Sequence, residues 1–319
     1  MQTNQRVDVH GLSLRGREHD KNHDHFAIAT LNKSMRLHQS NLTINDDSLV
    51  HGHNQGHLFL VADGIGAGPA PARASGTAVD SVVKYFLNEM PWYHLADGEP
   101  ADVTLALEDA LRNAQDELFS SVVKDKKGLG TAMTLAFVFW PHLYIAHVGD
   151  SRCYLKRERE LRQLTTDHTL AEVRRRTGGR VSDRSNNVPW NTIGGRQDTI
   201  QPEVRHVLLE AGDVLALVTV GVARDESKDD LKALLDIDAP AEQSCGRIVG
   251  ETGSGDRTAI VVRFLPNEQS HAKVAAAQPL STLAATSELP QPLEAVEPCE
   301  SPFRTRDDRQ QLPRLNLDQ

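Results

Sequence analysis

The sequence predicts an α+β fold with mainly antiparallel sheets, and three observations carry that prediction. Short apolar runs recur closely enough along the 319 residues to make about ten strands. Two long helical patterns stand next to each other between strands, so strict β-α-β alternation fails. An apolar content of 39% then supplies enough material for a core to be covered on both sides by helices.

In chain order, residues 5–32 read as two short strands around the polar loop GREHDKNHDHF, and 33–57 as a polar surface excursion. Leu58–Ala62 is a buried strand that ends in Asp63 and three alternating glycines, Gly64, Gly66 and Gly68. Ala72–Met90 is helical, with Ala78, Val82, Tyr85 and Phe86 on one face. Val103–Val123 follows with Leu107, Leu111, Ala114 and Leu118 at helical spacing. GLGTAMTLAFVFW, LYIAHVGD and SRCYLKR read as successive strands of an antiparallel meander, with tight joints at Trp140-Pro141 and Gly149-Asp150. Leu170–Gly195 is an Arg-rich helix and flap, and VLALVTV another strand. Short helices over 229–236 and 239–250 precede the closing strand Thr258–Phe264. Beyond Leu265 the chain turns rich in Pro, Ser, Gln and Glu and poor in large apolar residues. Such a segment buries too little surface to offset its ordering entropy. The expected organisation is one domain over residues 5–265 and a disordered tail over 266–319.

A net charge of −9 argues against nucleic acid as the main partner, because a duplex binder presents a basic stripe. The three cysteines are far apart and form no metal or disulfide spacing, which points to free thiols in a reducing compartment. The first residues lack the apolar core of a signal peptide, and no run reaches the ~20 apolar residues of a membrane span. A cytoplasmic protein with no membrane association is expected.

Four carboxylates stand where apolar runs meet turns: Asp24 before FAIA, Asp63 after LFLVA, Asp150 after LYIAHV and Asp256 before TAIVV. Asp favours turns in any protein. Strand ends from different parts of a sandwich nevertheless converge at one edge, where hard cations find oxygen ligands. His19, His23 and His25 surround Asp24 and make a second candidate, a transition-metal cluster, against the alternative of a polar loop. The glycines after Asp63 do not make a dinucleotide fingerprint, since Pro69 breaks the spacing and no β-α-β unit follows.

HLFLVADGIGAG, followed by GLGTAMTLAFVFWPHLYIAHVGDSRCYLKRERELRQLTTDHTL, resembles the PPM-type (type 2C) metal-dependent serine/threonine protein phosphatases. NHDHF, NTIGG, EAGDVLALVTVG and GSGDRTAIVV fit the same family in order. The resemblance covers about residues 8–264 and implies a four-layer α-β-β-α sandwich with a centre for two Mg or Mn ions at one edge. It implies hydrolysis of phosphoserine and phosphothreonine proteins by a monomer, with metal-bound water attacking the phosphoryl group. Carried over by motif, Asp63 bridges the two metals and the Gly64 carbonyl ligates one. Asp24 holds metal-bound water, Asp256 ligates the second metal, and Asp150 serves a weaker third site.

The departures from the family pattern fall on that centre. A ligating Asp is expected where this chain has Val220, with Asp225 or Glu251 as nearby substitutes. The last motif reads Asp256-Arg257-Thr258 without the usual Asn, and Pro69 and Pro71 occupy the turn where a His is usual. The family's phosphate-binding arginine falls at His19, leaving Arg17 as the candidate for that role. An inactive phosphoprotein-binding module is the alternative reading.

Overall fold

Alternation along the strands sets the layers, because successive side chains of a strand point to opposite faces. In the strand β3 (Ser48–Ile65), Leu58, Leu60 and Ala62 pack into one buried cluster, and Phe59 and Val61 into another. A computed structural model describes residues 5–38, 48–66, 68–90, 100–122, 130–179, 188–195, 199–235, 238–250 and 253–266. The chain divides into two units, Met1–Val274 and Ala275–Gln319, and every described residue belongs to the first. The tail expected to be disordered lies, from residue 267 on, outside the described residues.

Ten strands are described, in two five-stranded sheets whose neighbouring strands all pair antiparallel. One sheet orders β2 (Asp24–Leu37), β3, β4 (Gly130–Phe139), β5 (His142–Val148) and β8 (Glu203–Leu208). The other orders β1 (Val7–Leu14), β10 (Arg257–Phe264), β9 (Val214–Val218), β6 (Arg152–Arg157) and β7 (Glu160–Gln163). Between the sheets lie Phe59, Ala136, Ile145, Leu215, Leu217, Ile260 and Val262. Truncating one of the large side chains here would cost about 3–5 kcal/mol.

Helices cover both outer faces. α1 (Ala70–Asn88) and α2 (Pro100–Val122) set Ala78, Val82, Phe86, Leu107, Leu111 and Leu118 against Leu58, Leu60, Leu135 and Phe137. On the far face α4 (Val220–Asp225), α5 (Lys228–Leu234) and α6 (Ala241–Val249) bring Val222, Leu231, Cys245 and Ile248 onto Ala216, Val218, Ala259 and Val261. The four-layer α-β-β-α sandwich is therefore the fold. Between β7 and β8 in the chain stands one more short helix, α3 (Leu170–Arg176), whose Thr169 cap accepts the Glu172 amide. Its Arg174, Arg175 and Arg176 are exposed, and the last two pair with Glu172, as on a solvated face.

Three expectations need correction. The polar stretch 33–57 is not a free excursion: β2 and β3 stay paired through Leu37 and Ser48, since ladder hydrogen bonds need no apolar side chains. Residues 39–47 lie outside the described residues. The meander breaks after β5. Gly149, at φ +110, turns the chain out of one sheet, and β6 pairs with β7 and β9 in the other. A Cβ at Gly149 would fall 2.3 Å from that of Ala132, so the turn needs glycine. VLALVTV is a strand only to Val218; Thr219 is the N-cap position of α4, and Val220 is helical.

Cys153 and Cys245 are free and buried in the core clusters, and burial pushes the Cys245 thiol up to about 12. Both are apolar packing elements.

Candidate metal centre

Cross-strand register opposes two acidic residues. Asp24, the first residue of β2, is the ladder partner of Asp63 near the end of β3. Antiparallel pairing puts the start of one strand beside the end of its neighbour, so both carboxylates reach the same rim of the sandwich. The Gly64 amide donates to the His23 carbonyl at 3.1 Å and the Thr131 hydroxyl to the Asp63 carbonyl at 2.8 Å, which fixes that rim.

The second sheet closes over it. Thr219, after β9, and Thr258, in β10, each donate a hydroxyl to Asp24 Oδ2 at 2.7 Å. Asp24 Oδ1 is buried without a hydrogen-bond partner. Burial pushes Asp24 up to about 7, and the two threonine hydroxyls act against that rise.

Asp63, Gly64, Asp150, Val220, Arg224 and Asp256 line one cavity of about 250 Å³. The sequence thus placed three of its four carboxylates on a shared cavity, with Asp24 directly behind Asp63. Desolvation, then the charges of Asp24 and Asp150, hold the Asp63 carboxyl well above the ordinary carboxylate range. Burial also raises Asp150, opposed by Arg224, whose Nη2 lies 3.7 Å from Asp150 Oδ2.

A buried clamp stands behind Asp150. The Gly149 amide donates to His168 Nδ1 at 3.2 Å, and the His168 amide to the Gly149 carbonyl at 2.7 Å. His168 Nδ1 also receives Asn191 Nδ2 at 2.8 Å. His168 thus orders this turn.

The residues fit one hard cation. Asp63 and Asp150 supply oxygens in a crowded negative pocket, beside the Gly64 backbone, and such a pocket calls for a counter-cation. A second oxygen-liganded ion does not fit as well. Val220 has no donor atom. Asp256 Oδ1 takes the Gly16 amide at 2.6 Å, while Oδ2 takes the His23 amide and His19 Nδ1, both at 2.7 Å.

Of the two substitutes for Val220, Asp225 does not fill its place. Asp225 pairs with buried Arg257, and Glu251 lies outside the described residues. Arg257 itself turns away from the cavity: Nε donates to the Val249 carbonyl at 2.8 Å and Nη2 to the Ile248 carbonyl at 3.0 Å, capping α6. Gly221 explains the tight approach of α4 to this strand end, because a Cβ there would meet the Asp256 carbonyl oxygen at 1.9 Å.

Arg17 is exposed, its amide donating to the Gly253 carbonyl at 3.1 Å, and among the described lining residues the cavity's arginine is Arg224. Sequence reasoning missed Arg224; its signal was the spacing of four from Val220 on the short helix α4, which the sequence reading left unassigned beyond Val220. The three histidines do not gather around Asp24. His19 and His23 turn to Asp256, and His25 Nδ1 meets Ser75 Oγ at 2.9 Å.

Fold and rim together define a carboxylate-lined cavity, a candidate cation site, at the edge of a two-sheet sandwich. Residues 36–247 match the Protein phosphatase 2C family, and the chain belongs to that family. It is similar to the serine/threonine protein phosphatase PstP of Mycobacterium tuberculosis, at 28% identity over 227 residues, covering 68% of this chain and 41% of that protein. It is also similar to the protein phosphatase PhpP of Streptococcus pneumoniae, at 27% identity over 240 residues, covering 70% of this chain and 87% of that one. The chain therefore spans less than half the length of the mycobacterial relative. Among solved structures, the catalytic domain of PstP in complex with two manganese ions has the same fold, with a TM-score of 0.61 at 22% identity over 82% of this chain and 99% of that chain. Among the described residues no helix is long and apolar enough to cross a membrane.

Proposed function

We propose that the chain is a serine/threonine phosphoprotein phosphatase that works on a divalent cation, Mg or Mn, held at Asp63 with the Gly64 carbonyl and Asp150. The observation that carries this reading is the gathering of Asp24, Asp63, Asp150 and Asp256 at one rim, in a chain of the Protein phosphatase 2C family. The mycobacterial relative with two manganese ions supports the choice of cation.

The cation, when bound, supplies charge neutralisation for the phosphoryl group and a more acidic water. Asp24 contributes an oriented acceptor: Oδ2 is fixed by Thr219 and Thr258, which leaves Oδ1 to position the attacking water. Arg224, at the cavity wall, holds the anionic substrate, with the exposed Arg17 as the alternative. Asp256 fixes the segment Gly16–His23 over the site through its two amide bonds. The proposed setting is cytoplasmic, and the acting form a monomer.

A second reading is favoured by Val220 and the engaged Asp256, which leave the second oxygen site incomplete: a phosphoprotein-binding module without turnover. Release of phosphate from a phosphothreonine peptide, with and without Mn, separates the two. The enzyme reading expects Mn-dependent release from the natural chain and faster release from Val220→Asp. A silent natural chain that still binds the peptide, with release appearing only in Val220→Asp, supports the binding module.

A further inference from the structure

The position that fails for an oxygen-liganded ion has a different donor set. One ligand atom from each of His19, His23 and Asp256 lies within 4.8 Å of the other two. Asp256 Oδ2 is 2.7 Å from His19 Nδ1 and 3.9 Å from His23 Nδ1. The two rings stack at a centroid distance of 4.2 Å.

His23 supplies an independent sign. Its side chain is 5% exposed, yet Nδ1 has no hydrogen-bond partner. A buried polar nitrogen without a partner carries an uncompensated desolvation cost, and a ligand would remove that cost. Bonds of ~2.0–2.1 Å in a tetrahedral site put donor atoms about 3.3 Å apart. The observed 2.7 and 3.9 Å bracket that separation.

We propose that His19, His23 and Asp256 hold a borderline divalent transition metal of the Zn2+ class. Two imidazoles and one carboxylate suit Zn2+, Fe2+ or Co2+, while Mg2+ prefers oxygen throughout. The ion would replace the His19 Nδ1–Asp256 Oδ2 hydrogen bond. The amides of Gly16 and His23 hold the carboxylate in place as supporting donors. The adjoining cavity, about 410 Å³ and lined by Glu18, His19, Lys21, His23 and Gly66, leaves the open side of the ion to water. This site stands without the phosphatase reading, because it concerns binding alone.

The test is equilibrium dialysis of the full chain against Zn2+ in excess Mg2+, with bound zinc counted. Co2+ in its place reports coordination through its visible absorption. The comparison is among the natural chain, His19→Ala, His23→Ala and Asp63→Asn. His19 is 30% exposed, so its variant is expected to fold, and circular dichroism checks both histidine variants. We expect one equivalent fewer, or affinity at least about tenfold weaker, in each folded histidine variant, and no change in Asp63→Asn. Zinc binding that is absent from the natural chain, or equal in His19→Ala, would overturn the proposal. So would loss in Asp63→Asn with the histidine variants unaffected, which would put the zinc at the carboxylate centre.

Discussion

Asp24 and Asp63 are direct partners across the β2–β3 ladder, and their opposition is the seed of the whole centre. Like charges placed opposite each other on a sheet are destabilising. The fold tolerates the pair by tying Asp24 to two hydroxyls from the other sheet and by leaving Asp63 half-buried at a cavity. In the proposed reading, a cation held at Asp63 offsets that repulsion.

Thr219 and Thr258 are therefore predicted to be the residues that keep Asp24 in place. Either Thr→Val substitution keeps the shape and removes one donor to a buried carboxylate. Each is expected to cost about 1–3 kcal/mol in denaturant unfolding. The double variant should lose more than either single one, and it should lose phosphatase activity before it loses its fold. A Thr219→Val protein as stable and active as the natural chain would contradict the role.

The buried His147 sets a direction for acid stability. Its Nδ1 meets the Thr134 hydroxyl at 2.8 Å, and Nε2 faces the Gly149 and Thr166 carbonyls at 3.0 and 3.1 Å. Burial lowers it from 6.5 to about 4, and His168 pushes the same way. Above about pH 6.5 both folded and unfolded chains hold this group neutral, and its contribution is intact. As pH falls from there toward 4, the unfolded chain takes up a proton that the folded chain refuses. Stability then drops by up to about 3 kcal/mol, with no further loss below the folded value. Urea midpoints taken across this range should fall for the natural chain and fall less steeply for His147→Asn.

Arg224 is predicted to have two opposed effects, because the one charge faces both the acidic residues and the incoming anion. Arg224→Ala should bind Mn about fivefold more tightly, the local repulsion being gone. It should also raise KM for a phosphopeptide about tenfold. Arg17→Ala serves as the comparison. A KM rise confined to Arg17→Ala would move the anion contact to Arg17.

The apolar pattern made most of this architecture readable. All ten residues of β4 are buried, and their largely apolar run, interrupted by Thr131 and Thr134, marked them as a strand. The strand-end carboxylates were legible for a similar reason, since each sits at the boundary between an apolar run and a turn. Partner choice was not. Gly149 signals a turn, but nothing in VGDSR says that β6 crosses to the other sheet, a matter of packing on residues far away in sequence. Val220 was equally opaque: its β-branched side chain extends the VLALV pattern, while its actual place in α4 is set by Gly221 fitting against Asp256. Ending that strand at Val220 with no helix read after it hid Arg224 from the site. The histidines show the same limit, since a loop's spacing says which groups are near one another and not which way each ring turns.

Metal-supported hydrolysis at Asp63 is the central claim, and Asp63→Asn tests it most directly. The substitution keeps size and removes the charge at the cavity. Release of phosphate from a phosphothreonine peptide should require Mn in the natural chain and fall by at least about a hundredfold in Asp63→Asn, with the fold retained by circular dichroism. Release that is independent of Mn, or unchanged in Asp63→Asn, would contradict the account.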